Sequence, residues 1–96
     1  MEMSRLIQEK REDILRLAAK HGARNVRLFG SVARGEAAEG SDVDFLVDAG
    51  PDTSPWFPGG LLVDLEKLLG CKVDIVMEQA LHWYIRDKVL REARPV

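Results

Sequence analysis

The sequence predicts an α/β (α+β) fold: a small mixed sheet with helices packed on one face. Three observations predict it. Stretches with helical periodicity alternate along the chain with short stretches of strand-like alternation. The 96 residues have room for one hydrophobic core and not for two, so 1–96 is expected to be a single domain. Hydrophobic residues make up 46% and charged residues 31%, the balance of a folded soluble chain and not of a disordered one.

The elements follow in order. Met3, Leu6, Ile7, Ile14, Leu15, Leu17 and Ala18 fall on one helical face, while Glu9, Arg11, Glu12, Arg16 and Lys20 fall largely on the other. With Ser4 as N-cap and Gly22 as stop, one amphipathic helix is expected over about 4–21. Residues 25–29 (NVRLF) alternate, with Val26 and Leu28 facing one way, and read as a strand ended by Gly30. A short helical turn is expected over 31–34, then a small polar loop over 36–41. The second strand is 42–47 (DVDFLV). Pro51, Pro55 and Pro58 with three glycines make 48–60 a long irregular loop. Leucines at 61, 62, 65, 68 and 69 give a second helix, stopped by Gly70. The third strand is 72–77 (KVDIVM). A last helix is expected over 78–93, with Leu81, Ile85 and Val89 as its apolar stripe, Tyr84 beside it, and Pro95 ending it.

Charge and cysteine usage exclude some classes. Fourteen basic against sixteen acidic residues give a net charge of −2, which argues against a general nucleic-acid or anionic-membrane binder. A single cysteine, Cys71, excludes an intramolecular disulfide and a cysteine-built zinc site. The longest uncharged stretch, over 49–63, is broken by Asp52 and three prolines, so no membrane span is expected. The first ten residues mix charge with apolar side chains and hold no signal-peptide core, so a cytoplasmic protein is expected.

The chemistry concentrates in 30–48, GSVARGEAAEGSDVDFLVD. Asp42 and Asp44 are two apart on a predicted strand, so both leave the same face, opposite Val43 and Phe45. At about 4 Å and an effective dielectric of about 20, two such charges repel by roughly 4 kcal/mol. A domain this small has only ~5–15 kcal/mol of net stability to oppose that. A divalent cation between them removes the cost, and oxygen-only ligands suit Mg²⁺ or Mn²⁺. Asp74, flanked by Val73 and Ile75, would complete a cluster of three carboxylates if its strand lies beside the second. The plainer alternative is aspartate on the solvated face of a strand. Gly30-Ser31, where a strand turns into a short helix, offers backbone N–H groups and a hydroxyl to a phosphate. Gly30 and Gly35 have the spacing of a Walker A loop, but Glu36 stands where its lysine belongs, and no G-x-G-x-x-G occurs. Arg34 and Ser41 complete the candidate nucleotide-binding set. Each also has an ordinary reading, as a solvated arginine and as a cap of the turn before the strand.

Gly30-Ser31, ten residues, then Asp42-x-Asp44 resembles the GS-x10-DxD signature of the DNA polymerase β-type nucleotidyltransferase superfamily. The fuller pattern, GSVARG followed by SDVDFLV, resembles its minimal nucleotidyltransferases (the MNT, or MntA-like, proteins), and Asp74 in KVDIV is similar to their third carboxylate. The resemblance spans nearly the whole chain, apart from the Pro/Gly-rich loop, and implies a polymerase β-like core. Gly30 and Ser31 would hold the triphosphate of ATP. Asp42 and Asp44 would ligate two Mg²⁺ ions. Asp74 would ligate the catalytic ion and help activate the acceptor hydroxyl. The implied reaction transfers AMP from ATP to a protein hydroxyl, with release of pyrophosphate. The implied partner is a HEPN-domain toxin, modified on a tyrosine or neutralised by binding alone. A small-molecule acceptor is the remaining alternative. A partner is also expected on size, because one sheet edge and one loop do not close a site against water.

The other polar and aromatic residues have more ordinary readings. His21 reads as a helix C-terminal cap, and His82 as a weak candidate general base. Trp83 and Tyr84 are about 100° apart on a helix and should not both be buried. Trp56 and Phe57 read as an exposed contact surface or as a lid on the core. Asp64 and Glu66 read as solvated helix face, and Cys71 as a small apolar filler.

Overall fold

The leading amphipathic stretch folds as two helices in the computed structural model, which describes residues 3–36 and 42–96. Helix α1 spans Met3–Glu9 and α2 spans Arg11–Lys20, hinged at Lys10. The Lys10 N–H still bonds Leu6 O at 3.0 Å, and the Ile14 N–H bonds Lys10 O at 2.9 Å. The bend therefore costs little backbone hydrogen bonding. It also lets Ile7 and Ile14 both bury, at 2% and 0% exposure.

Strand β1 (Ala23–Phe29) follows, then the one-turn helix α3 (Gly30–Ala33), strand β2 (Val43–Ala49) and helix α4 (Gly59–Leu69). Next come strand β3 (Val73–Met77), a 3₁₀ turn (Glu78–Ala80), helix α5 (Trp83–Glu92) and a two-residue strand β4 (Arg94–Pro95). The sheet order is β3-β2-β1-β4. β1 is antiparallel to β2 and to β4, while β2 and β3 are parallel, joined through α4. The sheet is therefore mixed, as the sequence predicts.

Val43, Phe45 and Val47 of β2 are buried in the main core with Leu28, Ile14, Leu61 and Leu65. Gly70 closes α4 in the left-handed region at φ +68°, its N–H on Glu66 O at 2.8 Å, where a side chain would be strained. β1 starts two residues earlier than its alternation suggests. Its ladder with β2 shifts register between Arg24 and Arg27, with Asn25 at φ 51°. The extra residue puts Ala23 and Val26, three apart, into the same core.

On the other face, Leu46 is also fully buried. Beside it Arg27, its register partner, donates to Glu78 Oε1 at 2.7 Å, Asp48 Oδ1 at 3.0 Å and Asn25 O at 2.9 Å. The 3₁₀ turn that carries Glu78 rests against β2.

The C-terminal segment departs furthest from expectation. Residues 78–80 form the 3₁₀ turn, and α5 begins only at Trp83, where His82 Nδ1 accepts from the Tyr84 N–H at 3.1 Å. Tyr84 does not join the apolar stripe: Trp83 and Tyr84 are exposed, and of the helix only Val89 is buried. Pro95 lies in β4 on the sheet edge, a place open to a residue without an N–H.

Candidate functional site

β1 carries the chain to Phe29, and Gly30 turns it at φ +74° into α3. The turn passes directly over Asp44: a Cβ on Gly30 would overlap Asp44 Oδ2. Glycine suits the position for its positive φ, and a larger residue would also have to displace the Asp44 carboxylate. Asp44 is the register partner of Phe29 on one side and of Asp74 on the other. Phe29, Asp44 and Asp74 therefore form a row across three strands, and Gly30, the residue after Phe29, turns over Asp44 on the face opposite the main core. Asp42 stands just before β2, exposed, next to Val43, whose N–H bonds Lys72 O at 3.0 Å and ties the β2 entry to the β3 entry.

Asp44 is half-buried and Asp74 exposed. Burial pushes the Asp44 carboxyl above the usual aspartate range, the negative charges of Asp74 and then Asp42 push it further, and the Arg34 guanidinium opposes them. The three aspartates thus act on one another electrostatically. Asp42 also reaches Cys71, whose thiol is pushed up by burial first and then by Asp42 and Glu66. Cys71 packs on the core, as a filler would.

Among the described residues, no three His, Cys, Asp or Glu side chains are drawn together closely enough to hold a metal ion. The donor chemistry still fits a hard divalent cation, being all carboxylate, and the like charges that raise Asp44 are those such a cation would neutralise.

Ser31 is half-buried in the first turn of α3. Arg34, the α3 C-cap, is neither simply solvated nor turned wholly to the site. Its Nε donates to Glu36 Oε2 at 2.9 Å and its Nη1 to Glu92 Oε1 at 2.5 Å. Ser41 lies outside the described residues. Glu92 was not visible as a partner in the sequence, because no local spacing links residues 58 apart.

Two residues expected on a solvated face are engaged. His21 Nε2 bonds Asp64 Oδ2 at 2.7 Å, joining the end of α2 to α4, and Glu66 Oε2 accepts the Val73 N–H at 3.2 Å at the start of β3. Phe57 packs partly against the core while Trp56 is 83% exposed, so the loop divides between its two expected roles.

The comparison that decides the family is with a model of the nucleotidyltransferase domain, which matches residues 8–96. The chain belongs to the nucleotidyltransferase domain family. This nucleotidyltransferase is 43% identical over 95 residues to the protein adenylyltransferase MntA of Thermococcus cleftensis, covering 94% of this chain and 96% of that one. It is 37% identical over 87 residues to a Methanocaldococcus jannaschii protein assigned by name as a protein adenylyltransferase, covering 91% and 94%. A solved minimal nucleotidyltransferase is 47% identical and superposes with a TM-score of 0.87 over 100% of this chain and 97% of that one. A toxin–antitoxin structure with AMP-PNP shares the fold at a TM-score of 0.74 and 22% identity, over 88% and 69%. No helix among the described residues is long and apolar enough to cross a membrane.

Proposed function

We propose that this nucleotidyltransferase transfers AMP from ATP to a hydroxyl of a protein partner, a tyrosine of a HEPN-domain toxin, and so acts as its antitoxin in the cytoplasm. The observation that carries the reading is the pairing of Asp44 with Asp74 on adjacent strands, with the Gly30 turn pressed onto the half-buried Asp44 carboxylate. The likeness to the MntA adenylyltransferase supports the acceptor class. The fold shared with a toxin–antitoxin structure holding AMP-PNP agrees with it.

Gly30 and Ser31 hold the triphosphate through the turn that enters α3, with Arg34, and Ser41 from the loop, on the phosphates. Asp42, Asp44 and Asp74 are the residues that would hold two Mg²⁺ ions. When bound, those ions stabilise the charge that develops on the phosphoryl oxygens and the leaving pyrophosphate. Asp74, exposed on the edge strand, draws the proton from the acceptor hydroxyl. The acceptor oxygen forms its bond to the α-phosphorus as the bond to the bridging oxygen breaks, and pyrophosphate leaves. The chain 1–96 serves as one minimal nucleotidyltransferase domain, and the partner covers the open ledge.

The test is to incubate the purified chain with ATP, Mg²⁺ and the product of the neighbouring gene, and to read intact masses. A gain of one or more AMP units on the partner, lost in Asp42→Asn, is the expected result. A stable complex with no mass gain would replace transfer with neutralisation by binding. Neither gain nor complex would return the acceptor to a small molecule.

A further inference from the structure

Arg34 and Glu92 come from opposite ends of the fold and meet beside the Gly30 turn. Glu92 is the last residue of α5, and Arg34 is the residue that closes α3. Their bond is 2.5 Å long, and the Glu92 side chain is only 19% exposed although it ends a surface helix. Glu36 takes the Nε edge of the same guanidinium. Two carboxylates therefore fix Nε and Nη1. The group so fixed is the cation that acts on Asp44. The Glu92 carboxyl is kept below its usual range by the Arg34 bond first.

We infer that Glu92 is a positioning residue for nucleotide binding: it holds the Arg34 guanidinium, beside the Gly30 turn, in the arrangement that receives the ATP phosphates. This rests on the reading that ATP binds at the Gly30–Ser31 turn. The argument is one of preorganisation. An unbraced arginine loses rotamer freedom when it meets a phosphate, whereas one held on two of its nitrogens has already lost it. A brace from α5 also makes the binding turn depend on the docking of the C-terminal helix, which the one-turn α3 cannot secure alone. The opposite arrangement, a latch in which Glu92 competes with phosphate for Arg34, predicts the reverse effect of removing the carboxylate.

The test measures the Kd for ATP with Mg²⁺ by calorimetry, alongside Tm, for the wild type, Glu92→Gln, Arg34→Ala, the double variant and Asp44→Asn. The brace predicts an ATP Kd weakened about 5- to 30-fold in Glu92→Gln, in the range of a single charged contact. It predicts little further loss when Glu92→Gln is added to Arg34→Ala, because Glu92 works through Arg34. It also predicts partial recovery in Glu92→Asp. A purely structural role would lower Tm in Glu92→Gln and leave Kd in place, or give losses that add in the double variant; either result overturns the inference. Tighter binding in Glu92→Gln would establish the latch instead. If the wild type binds and Asp44→Asn does not, while Glu92→Gln binds like wild type, the inference fails and the nucleotide site stands. If the wild type itself does not bind ATP, both fail.

Discussion

Replacing Asp44 by asparagine should make the metal-free protein more stable at neutral pH. Asp44 and Asp74 are register partners on adjacent parallel strands, so their carboxylates lie on the same face of the sheet. At a separation of about 5 Å, the repulsion is about 3 kcal/mol for an effective dielectric of about 20 and about 1 kcal/mol for about 80. Asp44 is half-buried and Asp74 exposed, which places the pair near the lower figure. Asp42 and the burial of Asp44 act in the same direction, while Arg34 offsets part of it. A gain of about 1 kcal/mol is expected, or about 4–8 °C in Tm for a domain of this size.

The pH dependence has a definite sign. A carboxyl whose folded value is raised lets the folded state hold its proton to higher pH, so wild-type stability falls as pH rises through the window between the ordinary aspartate value of 3.8 and the raised one. The advantage of Asp44→Asn should therefore be absent at about pH 3 and fully present at pH 7. The assay is a thermal melt with EDTA at both pH values, repeated with Mg²⁺. Millimolar Mg²⁺ should raise the wild-type Tm and narrow the gap, since it binds the folded carboxylates. A variant that melts below wild type at pH 7 in EDTA, or one whose advantage persists unchanged in acid, would refute the view that these charges are held together against their own repulsion.

Other substitutions test the supports of the site. Gly30→Ala should cost about 1–3 kcal/mol, because the position needs a positive φ and the new methyl meets Asp44, and it should also weaken ATP binding; a chemical melt and a titration check both. Arg27→Met should cost about 3 kcal/mol in urea unfolding, since Asp48 and Glu78 would be left facing each other without their shared cation. Asp64 is held below its usual range by the His21 hydrogen bond, so its contribution is present above the ordinary range and is lost as pH falls through the depressed value. Asp64→Asn should therefore be less stable than wild type at neutral pH, with the gap closing in acid, as followed by Tm against pH.

What the sequence made legible was whatever depends on near neighbours. The placement of Asp44 opposite Val43 and Phe45 follows from strand alternation, although Asp42, expected on the same strand, stands just before it; the Gly30 turn follows from a glycine between an alternating strand and a short helix. The interleaved periods gave the mixed sheet with its helices. The illegible parts depend on distant segments. The hinge at Lys10 has no glycine or proline to announce it; it is set by what α1 and α2 each pack against. β4 is two residues long and exists because Val96 N–H reaches Val26 O at 3.2 Å. Helix α5 is shorter than its periodicity suggests because Glu78 is drawn to Arg27 and Arg86 Nη1 donates back to Glu78 O, which favours a tight turn over a continued helix. Arg34 presented two readings from sequence, a phosphate contact and a solvated arginine, and neither contained Glu92, which lies 58 residues away.

The two ends of the solvent-side sheet face show how these charges differ from ordinary surface aspartates. Along β2 that face carries Asp44, Leu46 and Asp48 in turn. At the Asp48 end the fold supplies a buried cation, Arg27, which bridges Asp48 and Glu78 and covers the approach to Leu46. At the Asp44 end, four residues along the strand, it places Asp74 beside Asp44 and Asp42 before it, and occupies Arg34 with two other carboxylates. Composition does not force this, because fourteen basic residues are available against sixteen acidic ones. A sheet that neutralises one end of a face and gathers like charges at the other, with only Arg34 opposing them, would gain stability there from an added cation. The half-buried Asp44 is where burial and like charge act together, and so where a bound divalent ion would add the most stability.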